Sequence, residues 1–271
     1  MARKVQSSLP QNSLPSYKNP PVNEVVFGVR FRTPDELRIP HIGILWEKFR
    51  ADYPLIQHAP PIASAKGEIK IDSATGVPIP RVWFINKLDD QLVQFQPDRF
   101  YYNWRRRQSE YPRYDHLVKN FENVVNNIVT FFNEFEFGVL EPIEFELTYI
   151  NHIPKGEGWD TIDDLPKIFS DLVWNYDEGR FLPNPQKVAW HMDFLLPEDN
   201  GNLIVSLKHA IRTEDKVPLL VLELKTTGIE ESDGKEGIRG WFDLAREWIV
   251  RGFTDLTTTD IQEIWEREDN A

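Results

Sequence analysis

Residues 24–32 read EVVFGVRFR, and residues 142–150 read PIEFELTYI. In the first stretch Val25, Phe27, Val29 and Phe31 alternate with Val26, Gly28 and Arg30. In the second, Ile143, Phe145, Leu147 and Tyr149 alternate with Glu144, Glu146 and Thr148. Successive side chains of a strand point to opposite faces, so each stretch predicts a strand with one strongly apolar face. Each opens the same run of elements: a short helix, three or four strands, then a long helix. The first run spans Asn23 to Gly138 and the second Pro142 to Thr257.

Working outward from the first strand, Ile42, Leu45, Trp46 and Phe49 fall at helical spacing and stop at Pro54. A weak strand is expected over Glu68–Ile71. A hairpin follows, Arg81–Asn86 with Gln91–Gln96 across Leu88-Asp89-Asp90, and Arg99–Trp104 extends it. Tyr114 to Phe135 carries an apolar stripe through Leu117, Phe121, Val124, Ile128, Phe131 and Phe132, and Gly138 ends that helix. In the second run a short helix is expected near Thr161–Trp174 and a loop over Asn175–Gln186. Strands follow at Val188–Leu196, Leu203–Arg212 and Leu219–Thr226. A helix then carries Ile238, Trp241, Leu244, Ala245, Trp248 and Ile249, and a last short one, Thr259–Arg267, has Thr257 or Thr258 as its cap.

Strands that are neighbours in sequence pair antiparallel, and the apolar stripes of the long helices need a sheet face to cover. The expected fold is α+β: two tandem strand–helix–strands–helix units forming a largely antiparallel sheet covered on one face by long helices. Residues 1–22 are expected as a flexible N-terminal arm, 23–138 as the first unit and 139–271 as the second, together one composite domain. One continuous sheet and two separate sheets both satisfy this periodicity.

The 271 residues carry a net charge of −12, which disfavours broad attraction to nucleic acid or anionic lipid. The 9 Trp and 17 Phe fit an ordered core. Absence of Cys removes disulfides, thiolate catalysis and Cys-type zinc sites, and fits a reducing compartment. With no apolar run of signal-peptide or membrane-span length, a soluble, cytoplasmic protein is expected.

Three stretches carry a family resemblance. They are residues 92–106, LVQFQPDRFYYNWRR; residues 147–153, LTYINHI; and residues 245–258, AREWIVRGFTDLTT. Together with PPVNEVVF at 20–27 they resemble an uncharacterised, sporadically distributed bacterial family. The resemblance implies a bacterial or mobile-element origin and a patchy gene of defence or toxin-linked loci. It brings no catalytic residues. The element order is similar to the saddle of the TATA-binding protein and, more loosely, to the helix-grip sheet of ligand-binding proteins, a likeness of topology that carries no function.

Two sets of residues are candidate binding sites. Trp104, Arg105, Arg106 and Arg107, with Arg99 and Arg113, form the dense basic–aromatic cluster of an acidic chain, suited to phosphate or stacked bases. The competing reading pairs those arginines with the protein's own carboxylates. Strand alternation places Glu144, Glu146, Thr148 and His152 opposite Phe145 and Leu147, with His191, Asp193, Ser206, Lys208, Glu223 and Lys225 joining from neighbouring strands. That polar ladder is either a recognition surface or an ordinary solvated sheet face. His152, His191 and His209 lie on different strands and converge only if the sheet brings them together.

No phosphate loop and no HxH or HxxxH metal pattern is present. Asn151-His152 suits a general base or a strand-end cap, and Thr254 to Thr258 suits helix capping. Trp265 suits the core or a docking anchor. The expectation is a non-enzymatic binding protein that recognises a protein or small ligand on the open sheet face, with no cofactor and no metal. The alternatives are a nucleic-acid or nucleotide binder using Arg105 to Arg107, and a hydrolase-like enzyme using His152, His191 and carboxylates.

Overall fold

The central strand, β2 (Val22–Phe31), takes its place because both of its faces find cover. Val25, Phe27, Val29 and Phe31 are almost fully buried on one face, and Val26 is buried on the other. The structure is a computed structural model and describes residues 14–63, 69–174, 179–229 and 237–268. Chain order begins with β1 (Ser16–Tyr17) and β2, then α1 (Ile39–Phe49), β3 (Leu55–Ala59), β4 (Arg81–Ile85), β5 (Gln91–Gln96), β6 (Arg99–Arg105) and α2 (Tyr114–Glu134). It continues with β7 (Pro142–Pro154), a 3-10 turn (Ile162–Lys167), β8 (Ala189–Leu195), β9 (Asn202–Ile211), β10 (Pro218–Gly228), α3 (Gly237–Leu256), α4 (Thr259–Ile264) and β11 (Arg267–Glu268). The chain is therefore α+β.

One nine-stranded sheet runs β3-β4-β5-β6-β2-β7-β10-β9-β8, with every neighbour antiparallel. The question of one sheet or two is answered by the β2–β7 pair, which sets Val25 opposite Tyr149 and Phe27 opposite Leu147. Phe27 meets Phe121 of α2 with ring centroids 5.1 Å apart and Phe242 of α3 at 5.5 Å. Phe145 meets Trp241 of α3 at 5.5 Å. Each such fully buried side chain contributes about 1.5–3 kcal/mol, so this seam of rings anchors both long helices to the centre of the sheet.

Several expectations need correction. The strand over Glu68–Ile71 is absent where described: Ile71 makes only an isolated bridge to Pro78, and Glu68 lies outside the described residues. The edge strand is β3 instead, whose sequence LIQHA lacks alternation because most of it lies exposed. The helix over Thr161–Trp174 shrinks to the 3-10 turn, where Pro166 provides no N–H for a longer helix. Its start is nonetheless a capping box between Thr161 and Asp164. Strand β7 runs on to Pro154, so His152 sits within it.

The last part of the expected arm is tied to the fold. Ser16 and Tyr17 pair with Glu268 and Arg267, and Tyr17 is buried against Phe253 and Trp265, with centroids 5.5 and 6.5 Å away. Residues 1–13 and part of the expected loop over Asn175–Gln186 lie outside the described residues. Trp265 is a core ring, 3% exposed, not a surface anchor.

Candidate functional site

Strand pairing fixes which polar residues meet on the face opposite Phe27 and Phe145. Tyr101 of β6 stands opposite Gly28 of β2, and Gly28 opposite Glu146 of β7. One row further, Arg99 stands opposite Arg30, and Arg30 opposite Glu144. Gln94 of β5 pairs with Tyr101, and Arg81 opens β4 at the outer side. With Asn103, Lys225 and the loop residues Ile62 and Ala63, these side chains line a groove of about 460 Å³ across the middle of the sheet.

Arginines facing each other across a strand pair repel unless each is answered. Arg30 donates to Glu144 at 3.0 Å. Arg99, 7% exposed, forks onto Asp98 at 2.7 and 3.2 Å. Burial works against its charge, but the Asp98 fork outweighs that and raises its pKa further. Lys225 answers Glu146 at 3.2 Å, and Glu146 also accepts from Thr148 at 3.2 Å.

Arg81 is the unmatched charge. Its guanidinium lies 5.4 Å over the Trp83 ring and meets no carboxylate among the described residues. The Nε groups of Arg81 and Arg30 are both buried without a hydrogen-bond acceptor. Burial, with Arg99 nearby, lowers the Arg81 pKa while Tyr101 opposes that shift. A buried donor left unpaired costs about 1–3 kcal/mol, and the Arg81 side chain lines the groove with its charge unanswered by a carboxylate among the described residues.

Beside the groove, Gln94 donates to Asn103 at 2.8 Å and Asn103 to Glu24 at 2.7 Å, a chain across β5, β6 and β2. It holds the floor side chains in fixed rotamers. Tyr101 lies over Gly28 closely enough that a Cβ there would be 2.6 Å from the ring. Only glycine lets this ring lie flat on the floor.

The basic–aromatic cluster is used internally. Trp104 is 1% exposed and packs on Tyr111. Arg105 bonds the Asp89 carboxylate and, at 2.8 Å, its carbonyl; Arg107 reaches the same carboxylate at 2.9 Å. Arg106 donates to the carbonyls of Val22 and Pro20 at 2.9 and 3.1 Å. Arg113 donates to the Tyr17 carbonyl at 2.7 Å.

The three histidines do not converge. His152 on β7 and His191 on β8 are separated by β10 and β9, on the order of 14 Å at the usual strand spacing. His209 packs edge-on against Trp159 at 5.6 Å, with its Nε2 buried and unpartnered. Burial lowers the pKa of His152 and of His209, which favours their neutral forms. His191 makes an exposed 3.5 Å contact with Asp193, and Lys208 stands opposite Val221 on the outer sheet. Of the candidate residues read from the sequence, the groove gathers Arg99, Glu144, Glu146 and Lys225, with Thr148 supporting Glu146.

Comparison with protein-family models, with curated proteins and with solved structures finds no match for this chain. What the groove does therefore rests on its own geometry. Sequence reasoning passed over Arg30, Arg81 and Tyr101 as site residues. Each sits at a strand position that alternates with buried apolar neighbours, but strand register is what brings them together.

Proposed function

We propose that this chain is a non-enzymatic binding protein that takes a small ligand bearing an anionic group in the groove on its open sheet face. The observation that carries this reading is Arg81, a stacked guanidinium that lines the groove and meets no carboxylate among the described residues. Arg81 supplies the charge, Tyr101 supplies a flat ring, and Gln94 and Asn103 supply polar groups for orientation. The groove is open and fixed by the sheet, so a small ligand fits it better than a protein segment.

The broader reading is that the fold consists of two tandem units, each ending in a long helix that covers the same sheet face. Its support is the strand order: outward from the β2–β7 pair it reads β6-β5-β4 on one side and β10-β9-β8 on the other. Membership of the sporadically distributed bacterial family and a cytoplasmic setting belong to the same proposal, supported by the three sequence signatures and the absence of Cys. A nucleic-acid contact through Arg105, Arg106 and Arg107 is less favoured, because each is already engaged by a carboxylate or carbonyl of the chain. Among the described residues no helix is long and apolar enough to cross a membrane.

Titration calorimetry with benzoate and phenyl phosphate tests the proposal. Saturable binding that an Arg81→Gln substitution weakens by about tenfold or more supports it. Absence of saturable binding by either probe contradicts it.

A further inference from the structure

A separate pocket of about 120 Å³ lies on the other side of the sheet, between the start of α2, the middle of α3 and the β1 segment. A cavity admits a water once it offers on the order of 10–15 Å³, so this one has room for a small organic molecule. Its walls are largely apolar, with Leu224 of β10 and Ile249 and Phe253 of α3 among them.

Two polar features line this space and keep hydrogen-bonding capacity that the described fold does not use. Arg246 lies 4.5 Å over the Tyr114 ring, and its N–H groups meet neither a carboxylate nor another acceptor among the described residues. The hydroxyls of Tyr111 and Tyr149 are 3.1 Å apart. Each hydroxyl has one proton, so whichever donates to the other, one O–H is left without an acceptor. Burial raises the pKa of both, and both protons are kept at neutral pH. An unpaired guanidinium and a spare hydroxyl proton over an apolar floor form a receptor for one negative charge with a hydrophobic body.

Charge selects among anions. Arg113, whose Nη1 is held by the Tyr17 carbonyl, adds a second positive charge to the pocket, and the Asp115 carboxylate opposes it. The balance suits a monoanion and disfavours a phosphate dianion.

We propose that this pocket binds a small monocarboxylate with a short apolar tail, its carboxylate on Arg246 and the spare tyrosine proton, its tail against Leu224, Ile249 and Phe253. The site is independent of the groove on the opposite face and stands whether or not that groove binds a ligand.

The test is calorimetry with isovalerate, its uncharged alcohol 3-methylbutan-1-ol, and inorganic phosphate. The expected result, read in an Arg81→Gln background that removes the groove's charge, is saturable isovalerate binding at one site, weakened about tenfold or more by Arg246→Gln and by the paired substitution Tyr111→Phe with Tyr149→Phe. Circular dichroism checks each variant, and the paired substitution Tyr111→Phe with Tyr149→Phe, which removes both hydroxyl protons, carries the test where Arg246→Gln fails to fold. The proposal is overturned by absence of isovalerate binding, by equal affinity for the alcohol or for phosphate, or by affinity unchanged in both folded variants.

Discussion

Tyr101 rests on Gly28: a methyl group placed on Gly28 would lie 2.6 Å from Cε1 of the Tyr101 ring and 3.2 Å from Cβ of Glu146. The contact joins β6 to β2 at the floor of the groove, in the row where β2 also meets β7. Gly28→Ala is therefore expected to lift the Tyr101 ring and to cost about 1–3 kcal/mol from overpacking. In a Tyr101→Ala background the same substitution is expected to cost much less, because the clash is gone. Urea denaturation of the four proteins of this double-mutant cycle measures the coupling, and additive costs would refute the contact.

Two neighbouring carboxylates hold the β4–β5 hairpin, Asp90 through Asn86 and Ser109, and Asp89 through two arginines. Asp89 adopts a positive φ of 57° in the turn and receives both Arg105 and Arg107. Burial pushes its pKa up, but the two guanidinium groups outweigh that and hold it below the ordinary carboxylate value. Asp89→Ala leaves the partly buried Arg105 without its ion partner and is expected to lower stability by about 1–3 kcal/mol. Asp89→Asn, which tolerates the turn geometry and keeps an acceptor, is expected to lose less. Chemical denaturation orders the two variants.

At the ends of the described fold, Tyr17 closes a cluster with Phe253 and Trp265 and shares a hydrogen bond of 2.9 Å with Thr254. Tyr17→Phe keeps the ring and is expected to cost about 0.5–1.5 kcal/mol. Tyr17→Ala empties a buried site and is expected to cost about 3–5 kcal/mol. Thermal unfolding distinguishes this pinned segment from a loose arm, for which both substitutions would be silent.

Two carboxylates give stability opposite dependences on pH. Asp72 accepts the N–H of Ile39 at the start of α1 at 2.9 Å, which lowers its pKa, and Ala74 and Arg38 reinforce this against burial. Its contribution is present above the ordinary value of 3.8 and is lost as pH falls through the lower folded value. Glu24 is raised above 4.5 by burial, with the Asn103 hydrogen bond opposing that shift. Its contribution is present below 4.5 and is lost as pH rises through the folded value. Asp72→Asn is expected to remove part of the acid-side loss of stability. Glu24→Gln is expected to raise the urea midpoint at neutral pH, and the gain should shrink as pH falls toward 4.5.

The fold was legible where burial repeats at a regular period. Phe27 and Phe145 mark the two central strands, and Leu117, Phe121 and Ile128 mark α2, because each element presents one buried face to the same core. Where an element lacks such a face, the reading failed: β3 lies exposed at the sheet edge, and the turn around Pro166 needs only one round of capping. The arginine run 105–107 stands out in sequence, yet its partners Asp89, Val22 and Pro20 are supplied by chain folding. Arg81 looks ordinary in sequence. Its significance comes from the strand order that sets it outside Gln96 and Arg99, where it meets no carboxylate among the described residues.

The central claim is that this unmatched charge is a binding group, and calorimetry of phenyl phosphate against the wild type and Arg81→Gln tests it most directly. The account predicts saturable binding at one site in the wild type and an affinity about tenfold lower or worse in the folded variant. Equal affinity in the two proteins, or no binding of phenyl phosphate or benzoate to the wild type, would contradict it.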